Sequence, residues 1–195
     1  METTKHLLLV LLKDFTTTHT ITSLSKELKL SRVGIWKILQ KLAAEQYLLI
    51  KTIGSGKTST SIISINWDNL LIKKTLALYL TEESLSQRRW QVNFAALEPK
   101  VDVLILYGSI LTSPQQAQDI DLLGIAKQSK FLEIQKISDK IQKTEHKKIH
   151  QINFTASELK TELKNDNKAF IDAIKRGIVL FGQENIVKFV SEIVK

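Results

Sequence analysis

The stretch that most constrains the fold is residues 101–126, where two short apolar runs enclose a tight turn. The first run, Val103–Tyr107, stops at Gly108, and a short apolar run bounded by a turn residue is typical of a buried strand. Ser109 is a residue type that caps helices, and the second apolar run opens at Asp119. The pattern therefore predicts a strand, a turn, a short helix, a loop and a second strand.

Two carboxylates open the second predicted strand. On a strand, Asp119 and Asp121 point to one side while Ile120 points to the other. Crowded carboxylates are costly unless a cation compensates their charge, and oxygen ligands at this spacing suit Mg²⁺, which keeps waters and substrate phosphates in its shell. The turn backbone at Gly108 and the Ser109 side chain can hold a phosphate at the helix N-terminus. The alternative is an ordinary turn beside two solvated aspartates.

This stretch resembles the nucleotidyltransferases of the DNA polymerase beta superfamily, in particular their small prokaryotic members. The family pattern is Gly-Ser, a short spacer and Asp-x-Asp, and here nine residues separate Gly108-Ser109 from Asp119-Ile120-Asp121. The resemblance covers roughly residues 85–195. It implies that Asp119 and Asp121 are catalytic and bind Mg²⁺, that Gly108 and Ser109 bind a nucleoside triphosphate, and that a nucleoside monophosphate passes to a hydroxyl.

The resemblance also implies a third carboxylate on a later strand, where this sequence has none. The expected strand, residues 149–154, offers His150, Gln151 and Asn153, and a neutral amide adds no charge and accepts a proton poorly. The segment 110–118 also lacks the Lys or Arg that family members often carry. Three interpretations stay open: nucleotide binding without efficient transfer, a carboxylate supplied from elsewhere or by a partner subunit, or a fold that has lost its chemistry.

The first 67 residues have the pattern of three helices followed by a β-hairpin. The predicted elements are helices over 3–15, from Thr22 or Ser23 to about Leu30, and over 32–45, then strands over 47–53 and 59–67 around a turn at 54–57. The segment resembles prokaryotic winged helix-turn-helix DNA-binding domains, whose third helix enters the major groove. The resemblance implies six DNA-contacting residues: Arg32, Val33, Trp36 and Lys37 on the third helix, and Lys51 and Lys57 on the hairpin. Winged helices also bind proteins, and an exposed Trp36 suits either partner.

The charge distribution supports a polyanionic partner for this part of the chain. The net charge is +8, and residues 1–67 carry nine Lys and Arg against four Asp and Glu, an excess that attracts nucleic acid non-specifically. The chain has no cysteine, which excludes disulfides and cysteine zinc sites. The apolar run Leu7–Leu12 is too short to span a membrane and no secretory signal is present, so we expect no membrane association and a cytoplasmic location.

Residues 68–98 are predicted to be a helical connector. Its first helix, over 70–80, would pack through Leu70, Leu71, Thr75, Leu78 and Tyr79, and its second helix would cover 84–97; the two would join the domains or form a homodimer interface. The sequence thus predicts an α+β chain: a winged helix over 1–67, the connector, and a nucleotidyltransferase-like domain with a small mixed sheet over 99–195.

Two functional hypotheses follow from this organisation. The first is a protein that binds double-stranded DNA and carries a nucleotidyltransferase domain, active or degenerate. The second is a transcriptional regulator, or an antitoxin-like protein with a partner protein, whose C-terminal domain keeps the fold without catalysis.

Overall fold

The computed structural model describes residues 2–55 and 59–194. Over these residues the chain is α+β, as predicted, with ten α-helices and two small sheets. The elements are α1 (Glu2–Lys13), β1 (His19–Thr20), α2 (Ile21–Glu27), α3 (Arg32–Ala44), β2 (Leu48–Ile53), β3 (Thr60–Ile65), α4 (Leu70–Leu85), α5 (Arg88–Phe94), β4 (Val103–Tyr107), α6 (Ser109–Thr112), β5 (Asp119–Ile125), α7 (Phe131–Gln142), β6 (Lys148–Phe154), α8 (Ala156–Lys164), α9 (Lys168–Arg176), β7 (Ile178–Phe181) and α10 (Gln183–Val194). Two 3₁₀ helices, Ala95–Lys100 and Gln128–Lys130, follow α5 and precede α7. None of the helices in the described ranges has the length and apolar character needed to cross a membrane.

The chain divides into two compact units. The first comprises the described residues up to 76 together with Val194, and the second comprises residues 77–193. Each unit contains one of the two sheets.

The first unit contains α1, α2 and α3 and a three-stranded antiparallel sheet in the order β1-β3-β2. The three helices and the hairpin of β2 and β3 were predicted, whereas β1 was predicted to be a connection. His19 and Thr20 pair with Ile63 and Ile62. A strand of two residues is too short to show alternation in the sequence, so only the pairing with β3 makes it a strand.

The capping residue of α2 differs from the prediction. Thr20 is the N-cap, not Thr22 or Ser23, because the Ser23 backbone N–H donates to Thr20 Oγ1 at 3.1 Å and the Thr20 N–H donates to Ser23 Oγ at 2.8 Å. This reciprocal pair of hydrogen bonds satisfies two backbone N–H groups at the start of the helix, which therefore begins at Ile21.

Helix α3 begins and packs as its sequence indicates. Gly34 N–H donates to the Ser31 side chain at 3.0 Å, so Ser31 is the N-cap. The helix buries its apolar stripe and leaves the opposite side in solvent; the buried residues are Ile35, Leu39 and Leu42, with Ile38 half-buried.

The predicted packed face of the connector's first helix is wrong at three of its five residues, while Thr75 and Tyr79 are half-buried. Helix α4 is longer than expected, and Leu70, Leu71 and Leu78 are exposed, whereas its buried apolar residues are Ile72, Leu76, Ala77 and Leu80. Its apolar residues are distributed over all sides of the helix, so the periodicity of its sequence does not distinguish one face from another. The second predicted helix begins late, at Arg88, because Ser84 and Leu85 belong to α4; it ends early, at Phe94, and continues as the first 3₁₀ helix.

The second unit is built on a four-stranded mixed sheet in the order β6-β5-β4-β7. Strands β5 and β6 are parallel, and β4 is antiparallel to both β5 and β7. One face is covered by an apolar cluster from the sheet, α5, α7 and the first 3₁₀ helix, including Leu104, Leu106, Ile120, Leu122, Trp90, Phe94, Leu97 and Ile134. Helices α8 and α9 pack on β6 and β4. Because β5 has a neighbour on each side and a buried face, the direction of its side chains is firmly set.

Candidate functional site

Three side chains that can ligate a metal meet at the start of β5. Asp119 and Asp121 lie on the same side of this strand, and the parallel register pairs Asp121 with His150 on β6. His150 Nδ1 is 3.3 Å from Asp119 Oδ2 and 3.8 Å from Asp121 Oδ1. One ligand atom from each of the three residues lies within 4.8 Å of the other two. We call Asp119, Asp121 and His150 the triad.

The turn after β4 approaches the triad closely. Tyr107 pairs with Asp121 across β4 and β5, so Gly108 follows directly beside it. Gly108 has φ +83°, and a Cβ built on it would lie 2.2 Å from Asp121 Oδ2. The backbone conformation therefore favours glycine strongly at this position, and any Cβ would also displace the Asp121 carboxylate.

The cap of α6 corrects one expectation about the turn. Gly108, not Ser109, occupies the N-cap position, and no side chain caps the helix. Ser109 is exposed and is the first residue of α6, which has only four residues. Phosphate binding by Gly108 and Ser109 stays a prediction, and it would depend on turn N–H groups and the Ser109 hydroxyl because so short a helix has little dipole.

The triad carries more negative charge than its own residues compensate. Burial raises the pKa of Asp121 and the neighbouring Asp119 raises it further, whereas His150 lowers it. Burial also raises the pKa of the Tyr107 phenol, with further contributions from Asp121 and Asp119. Tyr107 is therefore protonated at neutral pH, and its hydroxyl can donate a hydrogen bond beside the carboxylates.

The residues of the triad fit a divalent cation. Two carboxylate oxygens and one imidazole nitrogen form a compact donor set, and Gly108 leaves the space that the Asp121 carboxylate needs. A bound cation would also relieve the mutual repulsion of the two aspartates. The cation site predicted at Asp119 and Asp121 therefore has three possible donors. The third donor is the imidazole of His150 and not the expected carboxylate.

His150 is the site residue that sequence reasoning missed. The sequence placed it on the correct strand beside Gln151 and Asn153, without showing which of them faces the aspartates. Gln151 and Asn153 alternate with His150 along β6 and therefore point to its opposite face, where Gln151 accepts a hydrogen bond from Ser138 of α7 and donates one to Asn153 at 2.9 Å. The signal that would have found His150 is the β5–β6 register, which the sequence does not contain.

A groove of about 510 Å³ adjoins the triad. It is lined mainly by polar side chains, including Tyr107, Asp121, Gln135, Ser138, Gln142 and His150. No Lys or Arg is among the described residues that line it. The β5–β6 register pairs Asp119 with the exposed Lys148, which was not predicted as a site residue either.

The residues predicted to contact DNA lie mainly at the start of α3. Arg32, Val33, Trp36 and Lys37 are all exposed, with Val33 66% and Trp36 38% accessible. Lys51 is exposed on β2, and Lys57 lies outside the described residues. Lys41, one helical turn beyond Lys37, is also exposed and joins the candidate DNA-contacting residues.

Comparisons with protein-family models, curated proteins and solved structures find no match to this chain.

Proposed function

We propose that this chain is a DNA-binding protein whose second unit is a nucleotidyltransferase-like domain that binds a nucleoside triphosphate together with a divalent cation. The observation that carries the proposal is the meeting of Asp119, Asp121 and His150 beside the glycine turn at 108. The strand–turn–helix–strand order and the closeness of Gly108 to Asp121 support the resemblance drawn from the Gly-Ser and Asp-x-Asp motifs.

The residues of the site have distinct roles in this proposal. Asp119 and Asp121 hold the cation, for which the proposed metal is Mg²⁺, with His150 as the third donor. When bound, the cation would neutralise triphosphate charge and polarise the phosphoryl group. The turn at Gly108 and Ser109 binds phosphate oxygens through N–H and hydroxyl donors, and Lys148 supplies a positive charge next to Asp119.

Transfer of a nucleoside monophosphate is expected to be weak. A carboxylate at the third position would add negative charge for a second metal ion and would accept a proton from the attacking hydroxyl. His150 provides a nitrogen donor instead of this anionic oxygen, and Gln151 and Asn153 face away. We therefore propose that the main function of the site is to bind nucleotide and that catalysis is secondary.

Calorimetry tests the binding claim directly. ATP, CTP and GTP are titrated into the full chain in the presence of Mg²⁺ and, separately, of Mn²⁺, and we expect heat from at least one nucleotide. Asp119→Ala should abolish that heat, whereas Asp102→Asn, an exposed carboxylate preceding β4, should preserve it. Absence of heat for all three nucleotides would refute the proposal, and robust label transfer from α-³²P-NTP to protein or RNA would refute weak turnover.

The DNA-binding half of the proposal depends on the first unit. The order α1-β1-α2-α3-β2-β3, with its small antiparallel sheet, supports the winged helix-turn-helix resemblance. The exposed start of α3 combines Arg32 and Lys37 with Val33 and Trp36, which suits phosphate and base contacts in a major groove. Lys51 on the hairpin strand is positioned by the same sheet and is proposed to contact a phosphate.

A second candidate function is a regulator whose second unit binds a ligand or partner protein without catalysis. The histidine in place of a third carboxylate favours it. Asp119→Ala separates the two candidates: loss of transfer with DNA binding intact supports an enzyme. Undetectable transfer by the unmodified chain, with nucleotide binding retained, supports the regulator.

A further inference from the structure

The pairing of β5 with β6 determines which residue is the third donor of the triad. Strands β5 and β6 are parallel and in continuous register from Asp119–Lys148 to Ile125–Phe154. A one-residue slip would turn His150 away and would present Ile149 or Gln151 to the aspartates. His150 is therefore held toward Asp119 and Asp121 by seven consecutive residue pairs, not by a mobile loop.

No described carboxylate near the groove takes the place of this imidazole. Glu145 accepts a hydrogen bond from Asn93 at 2.5 Å and lies 3.9 Å from Arg89. Asp139 accepts a hydrogen bond from Gln135 at 2.8 Å on the surface of α7. The described metal-ligand group that contains Asp119 and Asp121 has His150 as its third member.

A donor set of two oxygens and one nitrogen differs in metal preference from a set of three oxygens. Mg²⁺ demands oxygen ligands and gains little from imidazole. First-row transition cations accept carboxylate and imidazole together, and their affinity for such a site rises along the series from Mn²⁺. The nitrogen of His150 therefore adds more to the binding of Mn²⁺ than to that of Mg²⁺.

We infer that His150 is a metal ligand and that it shifts the site's preference from Mg²⁺ toward Mn²⁺ and the later first-row cations. This inference rests on the cation-binding part of the proposed function and replaces Mg²⁺ with Mn²⁺ or a later first-row cation as the preferred metal. It concerns the metal alone and is independent of whether a nucleotide also binds.

The test is a comparison of cation selectivity in the full chain. MnCl₂ and MgCl₂ are titrated by calorimetry into the unmodified protein and into His150→Asp, His150→Ala and His146→Ala. We expect the ratio of Mn²⁺ to Mg²⁺ affinity to fall on the order of tenfold in His150→Asp and in His150→Ala. In His150→Asp the absolute Mg²⁺ affinity should also rise, because a third carboxylate completes an all-oxygen set.

His146→Ala is the matched control, because His146 is an exposed histidine in the turn before β6 and is outside the triad. Its selectivity ratio should equal that of the unmodified chain. A second readout is pulsed electron paramagnetic resonance of bound Mn²⁺, which detects coupling to a coordinated imidazole nitrogen. We expect this coupling in the unmodified chain and in His146→Ala, and its loss in both His150 variants.

The outcomes separate this inference from the proposed function. Cation binding with an unchanged selectivity ratio in the His150 variants, or with no nitrogen coupling, would overturn the inference and leave the proposed cation site standing. Selective Mn²⁺ binding without any nucleotide binding would uphold the inference and overturn the proposed function. Failure of the unmodified chain to bind either cation would overturn both.

Discussion

Replacing Gly108 by alanine should damage the site through one added methyl group. The backbone at Gly108 has φ +83° and ψ −165°, a region that essentially only glycine adopts, and holding a side chain there costs about 1–3 kcal/mol. The new Cβ would lie 2.2 Å from Asp121 Oδ2. The carboxylate must therefore retreat by roughly 1 Å to reach van der Waals distance, and an off-rotamer side chain costs about 0.5–1.5 kcal/mol.

These terms predict that Gly108→Ala lowers the free energy of unfolding by about 1.5–4.5 kcal/mol. They also predict that the variant loses cation affinity about tenfold or more, since the displaced Asp121 carboxylate is a ligand of the triad. Urea denaturation followed by circular dichroism measures the first quantity. Calorimetric titration with MnCl₂ at a temperature where the variant is folded measures the second.

Gly182→Ala is the matched control for this prediction. Gly182 has φ +81°, and a Cβ on it would lie 2.0 Å from the backbone oxygen of Asp102, so the substitution strains the same unit away from the triad. We expect a loss of stability at least as large, with the cation affinity of the folded protein unchanged. The reasoning is refuted if Gly108→Ala unfolds at the same urea concentration as the unmodified chain, or if it keeps full cation affinity.

Three further predictions concern a site carboxylate, the first unit's surface and its core. Asp121→Asn without divalent cations should raise stability at pH 7, because it removes a charge that burial and the neighbouring Asp119 disfavour. Because the pKa of the Asp121 carboxyl is raised above the ordinary 3.8 in the folded chain, the folded chain binds more protons than the unfolded chain between the two pKa values and loses stability as the pH rises through them. Thermal unfolding should therefore show a smaller gain from Asp121→Asn at pH 4 than at pH 7. A lower melting temperature for the variant at pH 7 would contradict this prediction. Arg32→Ala should weaken binding to duplex DNA by about 1–3 kcal/mol in low-salt fluorescence anisotropy, whereas exposed Arg176→Ala in the other unit should not; unchanged affinity would indicate a protein-binding surface. Leu39→Ala removes most of a fully buried side chain from the core of the first unit and should lower the free energy of unfolding, measured in urea, by about 2–5 kcal/mol. A loss below about 1 kcal/mol would show that the core around residue 39 is not tightly packed.

The candidate site shows how far local sequence information extends. The side-chain period of a strand is two, so Asp119 and Asp121 are on one side of β5 wherever that strand lies. The turn at Gly108 is similarly local, because an apolar run that ends in glycine marks a strand end. These features could be predicted from neighbouring residues alone.

His150 could not be assigned in this way. It lies 29 positions after Asp121 in the chain, with α7 between them, and it reaches the aspartates only through the parallel pairing of β5 with β6. That register depends on how α7 and the apolar cluster pack on the sheet. The absence of a third carboxylate was visible in the sequence, while the identity of the residue that replaces it was not.

Two elements outside the site show the same limit. Strand β1 exists through its pairing with Ile62 and Ile63 of β3, and its two residues have no strand pattern of their own. The apolar residues of helix α4 lie on all its sides, so only tertiary packing determines that Ile72 and Leu76 are buried while Leu71 and Leu78 are exposed.

The sequence by itself determined the α+β class, the residue types at the turn and the common side of the two aspartates, because each depends on backbone geometry within a few residues. The tertiary structure alone decided that an imidazole joins them and which face of α4 is buried, because those outcomes depend on pairing and packing between distant segments.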